Sequence, residues 1–115
     1  METTFTELIE IIENSVADVQ IKFDNYQMEC FTQRTPEFFC LELNGEAGEL
    51  ANLEKKAWIG KQIDKEKFED EAADVLIALM NYCNSKSINL GKATKDKLAK
   101  IERKRFKLKS EGQAY

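Results

Sequence analysis

Apolar residues along this chain recur at three- and four-residue steps and nowhere show the sustained alternation of a strand. In the N-terminal stretch Phe5, Leu8, Ile12, Val16, Val19, Phe23 and Tyr26 form one such stripe, which predicts a helix from about Thr4 to Cys30. Phe31 to Thr35 breaks the period. Thr35 then precedes Pro36, the sole proline, and the pair reads as an N-cap followed by a first-turn residue whose missing N–H has no partner to lose. The second helix is expected from Pro36 to about Ile59, stopping where Gly60 offers a left-handed position. Lys61 to Asp64 reads as a turn, with Asp64 placed to cap a third helix from Lys65 to about Ser85. After a break at Lys86 to Asn89, a fourth helix is expected from about Leu90 to Leu108, with Leu98, Ile101 and Leu108 on its apolar side. The only β-rich run, Val75 to Leu79, lies inside a strongly helical window. The expected fold is all-α, a single four-helix bundle-type domain over residues 1–108 followed by a loose tail over 109–115.

Composition narrows the chemistry. The 115 residues include no histidine, which removes Ser-His-Asp and Cys-His machinery and every His-ligated zinc site. Cys30, Cys40 and Cys83 form no C-x-x-C pair, so zinc ribbons and thioredoxin-like motifs are excluded as well. Dispersed thiols fit a reducing compartment, and Cys40 and Cys83 are expected in the core. Glu2, Glu7 and Glu10 interrupt the N-terminal region where a signal peptide needs an apolar run, and no stretch has the length of a membrane span. These features lead to the expectation of a cytoplasmic protein with no membrane partner. The net charge of −4 is unevenly placed: Lys92 to Lys109 holds nine basic and two acidic residues, leaving −11 on the rest. A basic segment on an acidic body suits nucleic acid or a polyanionic small molecule. It equally suits a solvated helix whose last-turn cations favour the helix dipole.

The acids carry the sharpest pattern. Glu42, Glu46 and Glu49 of the second helix fall within about 60° of one another around its axis. Leu43, Ala47, Leu50 and Leu53 border that face. Glu71 and Asp74 share a face of the third helix, next to Val75, Leu76, Leu79 and Cys83. Carboxylates beside an apolar face are costly unless something neutralises them, and like charges one turn apart also repel. Two such clusters on the consecutive helices of a hairpin would face each other, and a hard divalent cation is the simplest neutraliser. Glu-x-x-Glu also occurs on plain solvated helices, so spacing alone leaves both readings open. Without histidine, any such site is all-oxygen, which favours Mg²⁺ or Mn²⁺ over zinc.

The run Leu43-Asn44-Gly45-Glu46-Ala47-Gly48-Glu49-Leu50-Ala51, followed by Glu71-Ala72-Ala73-Asp74-Val75-Leu76-Ile77, resembles the signature of the MazG-like all-α nucleoside triphosphate pyrophosphohydrolases and their dCTP-pyrophosphatase and dimeric dUTPase relatives. That signature is E-x-x-E, an interval, then E-x-x-D; here 21 residues separate Glu49 from Glu71. The resemblance covers roughly Thr35 to Phe106. One departure is Gly45, where many members carry a further glutamate; glycine there is similar to the dCTP-pyrophosphatase branch. The resemblance implies that Glu46, Glu49, Glu71 and Asp74 are metal ligands for Mg²⁺, with Mn²⁺ as a substitute. It also implies hydrolysis of a nucleoside triphosphate to monophosphate and pyrophosphate, a nucleotide-pool housecleaning role, and a homodimer or homotetramer. Glu46 or Glu49 is then the general base. No G-x-x-x-x-G-K-[ST] loop exists to cradle phosphate.

Other candidates come from position. Lys97, Lys100 and Lys104 share a face of the fourth helix and could receive distal phosphates, or form a solvated basic face. Asn81, two turns past Asp74, could hydrogen-bond sugar or base. Trp58 lies about 14 Å along the axis from Glu49, within reach for base stacking or for packing on another subunit. Tyr26 and Phe31 are further candidates for a base wall. The alternative readings are an enzyme resembling phosphoribosyl-ATP pyrophosphohydrolase, and a non-catalytic helical interaction or nucleic-acid-binding module. All four acids are present, which favours an enzyme, with a nucleoside triphosphate and no nucleic acid as partner.

Overall fold

The computed structural model describes residues 3–115. It consists of four helices: α1 (Thr3–Cys30), α2 (Pro36–Trp58), α3 (Lys65–Ser85) and α4 (Leu90–Ser110), with no strand among the described residues. The fold is therefore all-α. The helix ends follow local chemistry. Thr35 caps α2, its hydroxyl accepting from the Phe38 N–H at 3.3 Å, and Pro36 opens the first turn. Gly60, at φ +100°, ends the α2 turn in a conformation that disfavours a side chain. Asp64 holds the N-cap position of α3 with extended backbone, although its carboxylate makes no capping bond. Asn89 caps α4 by accepting from the Lys92 N–H at 3.1 Å. That helix runs two residues past the expected Leu108, because Lys107 and Lys109 in its last turn favour the dipole and Gln113 N–H still reaches Leu108.

Two compact units divide the chain. One comprises the N-terminal part of the chain to Lys22 together with Ile88–Tyr115. Within it, Gln20 is 5% exposed and bridges the entry to α4: its Nε2 donates to Ile88 O at 2.6 Å and its Oε1 accepts from Leu90 N at 2.8 Å. Gly91 is also buried there because α1 passes close by. A Cβ at Gly91 would stand 3.2 Å from Ile12 O and 3.3 Å from Val16 Cβ. An exposed ion pair, Lys95 to Glu13 at 2.9 Å, adds little. The expected stripe of α1 is only partly covered, with Leu8 and Val19 exposed.

The second unit, Phe23–Ser87, contains the helical hairpin. Here α2 and α3 pack against each other, joined by the short turn around Gly60. Phe39, Ala78, Met80 and Cys83 are buried. Cys40 is exposed, contrary to its expected place in the core; it follows the buried Phe39 in α2, and one step along a helix turns a side chain about 100° around the axis. Cys83 is buried as expected, and burial pushes its thiol pKa up.

Candidate functional site: an acidic cluster on the hairpin

Glu46 and Glu49 are one turn apart on α2, and Glu71 and Asp74 one turn apart on α3, so packing the two helices sets the pairs opposite each other. One carboxylate oxygen from each of Glu46, Glu49 and Glu71 lies within 4.8 Å of the other two. Glu49 is exposed, whereas Glu46 and Glu71 are half-buried. The Oε2 atoms of Glu46 and Glu71 are buried and have no hydrogen-bond partner. Asp74 stands beside this set without joining it, near enough for its charge to act on both Glu46 and Glu71.

Crowding of this kind resists ionisation. Burial, followed by the contact and charge of Glu49 and the charges of Glu46 and Asp74, pushes the Glu71 carboxyl up to about 7. Glu46 is raised too, by burial first and then by the charges of Asp74 and Glu49. Orphaned acceptor oxygens from two helices, with no donor between them, are a donor set for a hard cation. The residues therefore fit a divalent metal. Gly45 and Gly48 flank the two glutamates of α2, and a Cβ at either position would meet nothing within 4 Å.

Residues 34–107 match the family model of the MazG nucleotide pyrophosphohydrolase domain. The chain belongs to that family. Comparisons with curated proteins and with solved structures found no match. The MazG domain family comprises nucleotide pyrophosphohydrolases, which are hydrolases, and it generally uses a divalent metal. The matched MazG region contains both acid pairs.

The remaining candidates are scattered. Asn81 is 9% exposed, and its amide makes no hydrogen bond among the described residues. Trp58 is 87% exposed at the far end of α2, beside an open apolar hollow formed with Ala51, Glu54 and Lys55. Asn81, at the other end of the hairpin, is not brought near it. Lys97, Lys100 and Lys104 belong to the other unit, on α4, where Lys104 Nζ lies 5.2 Å from the centre of the Tyr115 ring. Tyr26 and Phe31 meet edge to face at 5.3 Å, and Phe31 lines a cavity together with Asn81 and Glu42. The sequence reading did not single out Asp24, Gln27 or Arg34 as cavity-lining residues. The three-residue spacing of Asp24 and Gln27 was the available signal, and it is also that of a solvated helix face. No described helix is long and apolar enough to cross a membrane.

Proposed function

We propose that the chain hydrolyses nucleoside or deoxynucleoside triphosphates between the α and β phosphates, in a reaction dependent on Mg²⁺ or Mn²⁺ that clears unwanted nucleotides from the pool. The observation carrying this reading is the meeting of Glu46, Glu49 and Glu71 oxygens within 4.8 Å, two of these residues having buried oxygens that lack a donor. Glu46, Glu49, Glu71 and Asp74 would hold the cation. A divalent ion there would reverse the sign of a site that otherwise repels phosphate and would make a water more acidic. Glu46 or Glu49 accepts the proton of the attacking water, as the chain has no histidine for the task. The water oxygen bonds to the α phosphorus while the bond from that phosphorus to the α–β bridging oxygen breaks. The electron pair leaves on pyrophosphate, and the glutamate returns its proton to solvent.

The test is pyrophosphate release from a panel of nucleotides with and without Mg²⁺, run in ¹⁸O-labelled water. The expected product carries the label in the monophosphate. Label in free phosphate, with a nucleoside diphosphate as the other product, rejects the mechanism. A homodimer or homotetramer is part of the same proposal. It is supported by Leu41, Ile59 and Leu76, large apolar side chains left exposed on the hairpin unit. Sedimentation showing only a 13.3 kDa species at micromolar concentration rejects it.

A further inference from the structure

Beside the acidic cluster, and wholly within the hairpin unit, lie two adjoining cavities of about 190 Å³ and 300 Å³. Both are lined by Gln27, Arg34, Phe39 and Asn81. Glu42, one helical turn before Glu46, lines the second, so the space opens toward the acids. From Asp74, Asn81 is about 10 Å along α3, in the same direction along the hairpin. A nucleotide whose phosphates sit at the acids would extend its nucleoside along this path.

The walls of the first cavity are specific. Asn81 is a polar side chain more than nine-tenths buried, it lines the space, and nothing among the described residues bonds its amide. An amide that faces a cavity without a protein partner is free to donate to and accept from a ligand there. Asp24 is half-buried on the same wall and has neither an ion pair nor a hydrogen bond among the described residues. An ionised aspartate only accepts hydrogen bonds, whereas an asparagine amide both donates and accepts. The nearby cation is engaged elsewhere: the Arg34 guanidinium lies over the Phe38 ring at 4.8 Å. Phe39, buried beneath, supplies an apolar surface for a ring to lie against.

Building on the nucleotide-hydrolysis reading above, we infer that this cavity takes the nucleobase and that Asp24 and Asn81 determine specificity by selecting a base with an exocyclic amino group over its keto counterpart. The amino group donates to the Asp24 carboxylate, and the ring nitrogen and carbonyl of the same base pair with Asn81. A keto oxygen in the amino position would face the carboxylate acceptor to acceptor. Cytosine and uracil isolate this difference, since they share a size and differ at the group that meets Asp24.

The experiment compares dCTP and dUTP as substrates of the intact chain with Mg²⁺, and its Asp24→Asn and Asn81→Ala variants. The wild type is expected to favour dCTP by about tenfold or more in kcat/KM. Asp24→Asn, whose amide also donates, should bring the two substrates within about threefold of each other while leaving Mg²⁺-induced thermal stabilisation unchanged. Asn81→Ala should lower kcat/KM for both, through KM. A wild type indifferent to the base or favouring dUTP overturns the inference, as does an unchanged ratio in Asp24→Asn. If no nucleotide is hydrolysed, the nucleotide-hydrolysis reading fails first. The cavity is then tested by saturation-transfer NMR on the metal-free protein. Transfer to deoxycytidine but not deoxyuridine, lost in Asp24→Asn, upholds base selection; equal transfer, or none, overturns it.

Discussion

Replacing Gln20 by methionine keeps nearly the same length of side chain and removes its hydrogen bonds to the backbone. In the wild type those bonds hold Ile88 O at 2.6 Å and the Leu90 N–H at 2.8 Å. The Leu90 N–H lies in the first turn of α4, where it has no intrahelical acceptor. Each lost bond costs about 1 kcal/mol net, and rather more where the abandoned group stays dry. Ile88 and Leu90 are half-buried, so water repairs part of the loss. The expected destabilisation is about 2–3 kcal/mol, or a fall in Tm of roughly 10 °C for a domain of this size. Circular dichroism at 222 nm during thermal and urea unfolding reads it, at one fixed protein concentration. Gln20→Glu is the companion variant. At neutral pH its carboxylate accepts from Leu90 but repels Ile88 O; once protonated it both donates and accepts. The new carboxyl thus has a raised folded-state pKa, and the variant is more stable in acid and loses that advantage as pH rises. A Gln20→Met protein within about 0.5 kcal/mol of the wild type would refute the assignment.

Three further outcomes follow from the geometry. Glu71→Gln should abolish pyrophosphate release and the thermal stabilisation by Mn²⁺, yet melt no lower than the wild type in chelator at pH 8, since one member of a repelling cluster is gone. In chelator the wild type should lose stability as pH rises: the folded Glu71 keeps a proton up to about 7 that the unfolded chain gives up near 4.5, so the gain is complete below the lower value and gone above the higher. Glu71→Gln should flatten that slope in the same melts, and an equal slope in both proteins would mean that another group titrates. Gly91→Ala should destabilise by about 1–3 kcal/mol despite its better helix propensity, because the new methyl meets Ile12 O at 3.2 Å; a more stable variant in urea unfolding rejects the close approach.

Helix positions and the acidic pairs were legible because both depend on local period. Thr35, Pro36 and Gly60 act through their own backbone or that of near neighbours, and the four acids lie one turn apart within each helix. What could not be read depends on contacts between segments distant in sequence. Gln20 looked like an ordinary polar helix residue, and its burial comes from the backbone near position 88. Leu8 and Val19 belong to a convincing apolar stripe but remain exposed, because periodicity says which side of a helix is apolar and not whether anything covers it. Cys40 failed for the related reason that residue type predicts average burial only. The cavity beside the acids draws on the end of α1, the connection before α2 and the end of α3, and no single stretch of sequence carries its shape.

Gly45 and Gly48 have an effect on mechanics. Each costs a helix about 0.5–1 kcal/mol relative to alanine, and neither is required by a tight neighbour, since a Cβ would meet nothing within 4 Å. The turn of α2 that bears Glu46 and Glu49 is therefore its most compliant turn. In the proposed metal-binding role, carboxylates mounted on such a turn would adjust their spacing to an ion at small elastic cost, whereas Glu71 and Asp74 ride on a stretch of α3 with no glycine at all. The hairpin thus opposes a yielding jaw to a stiff one.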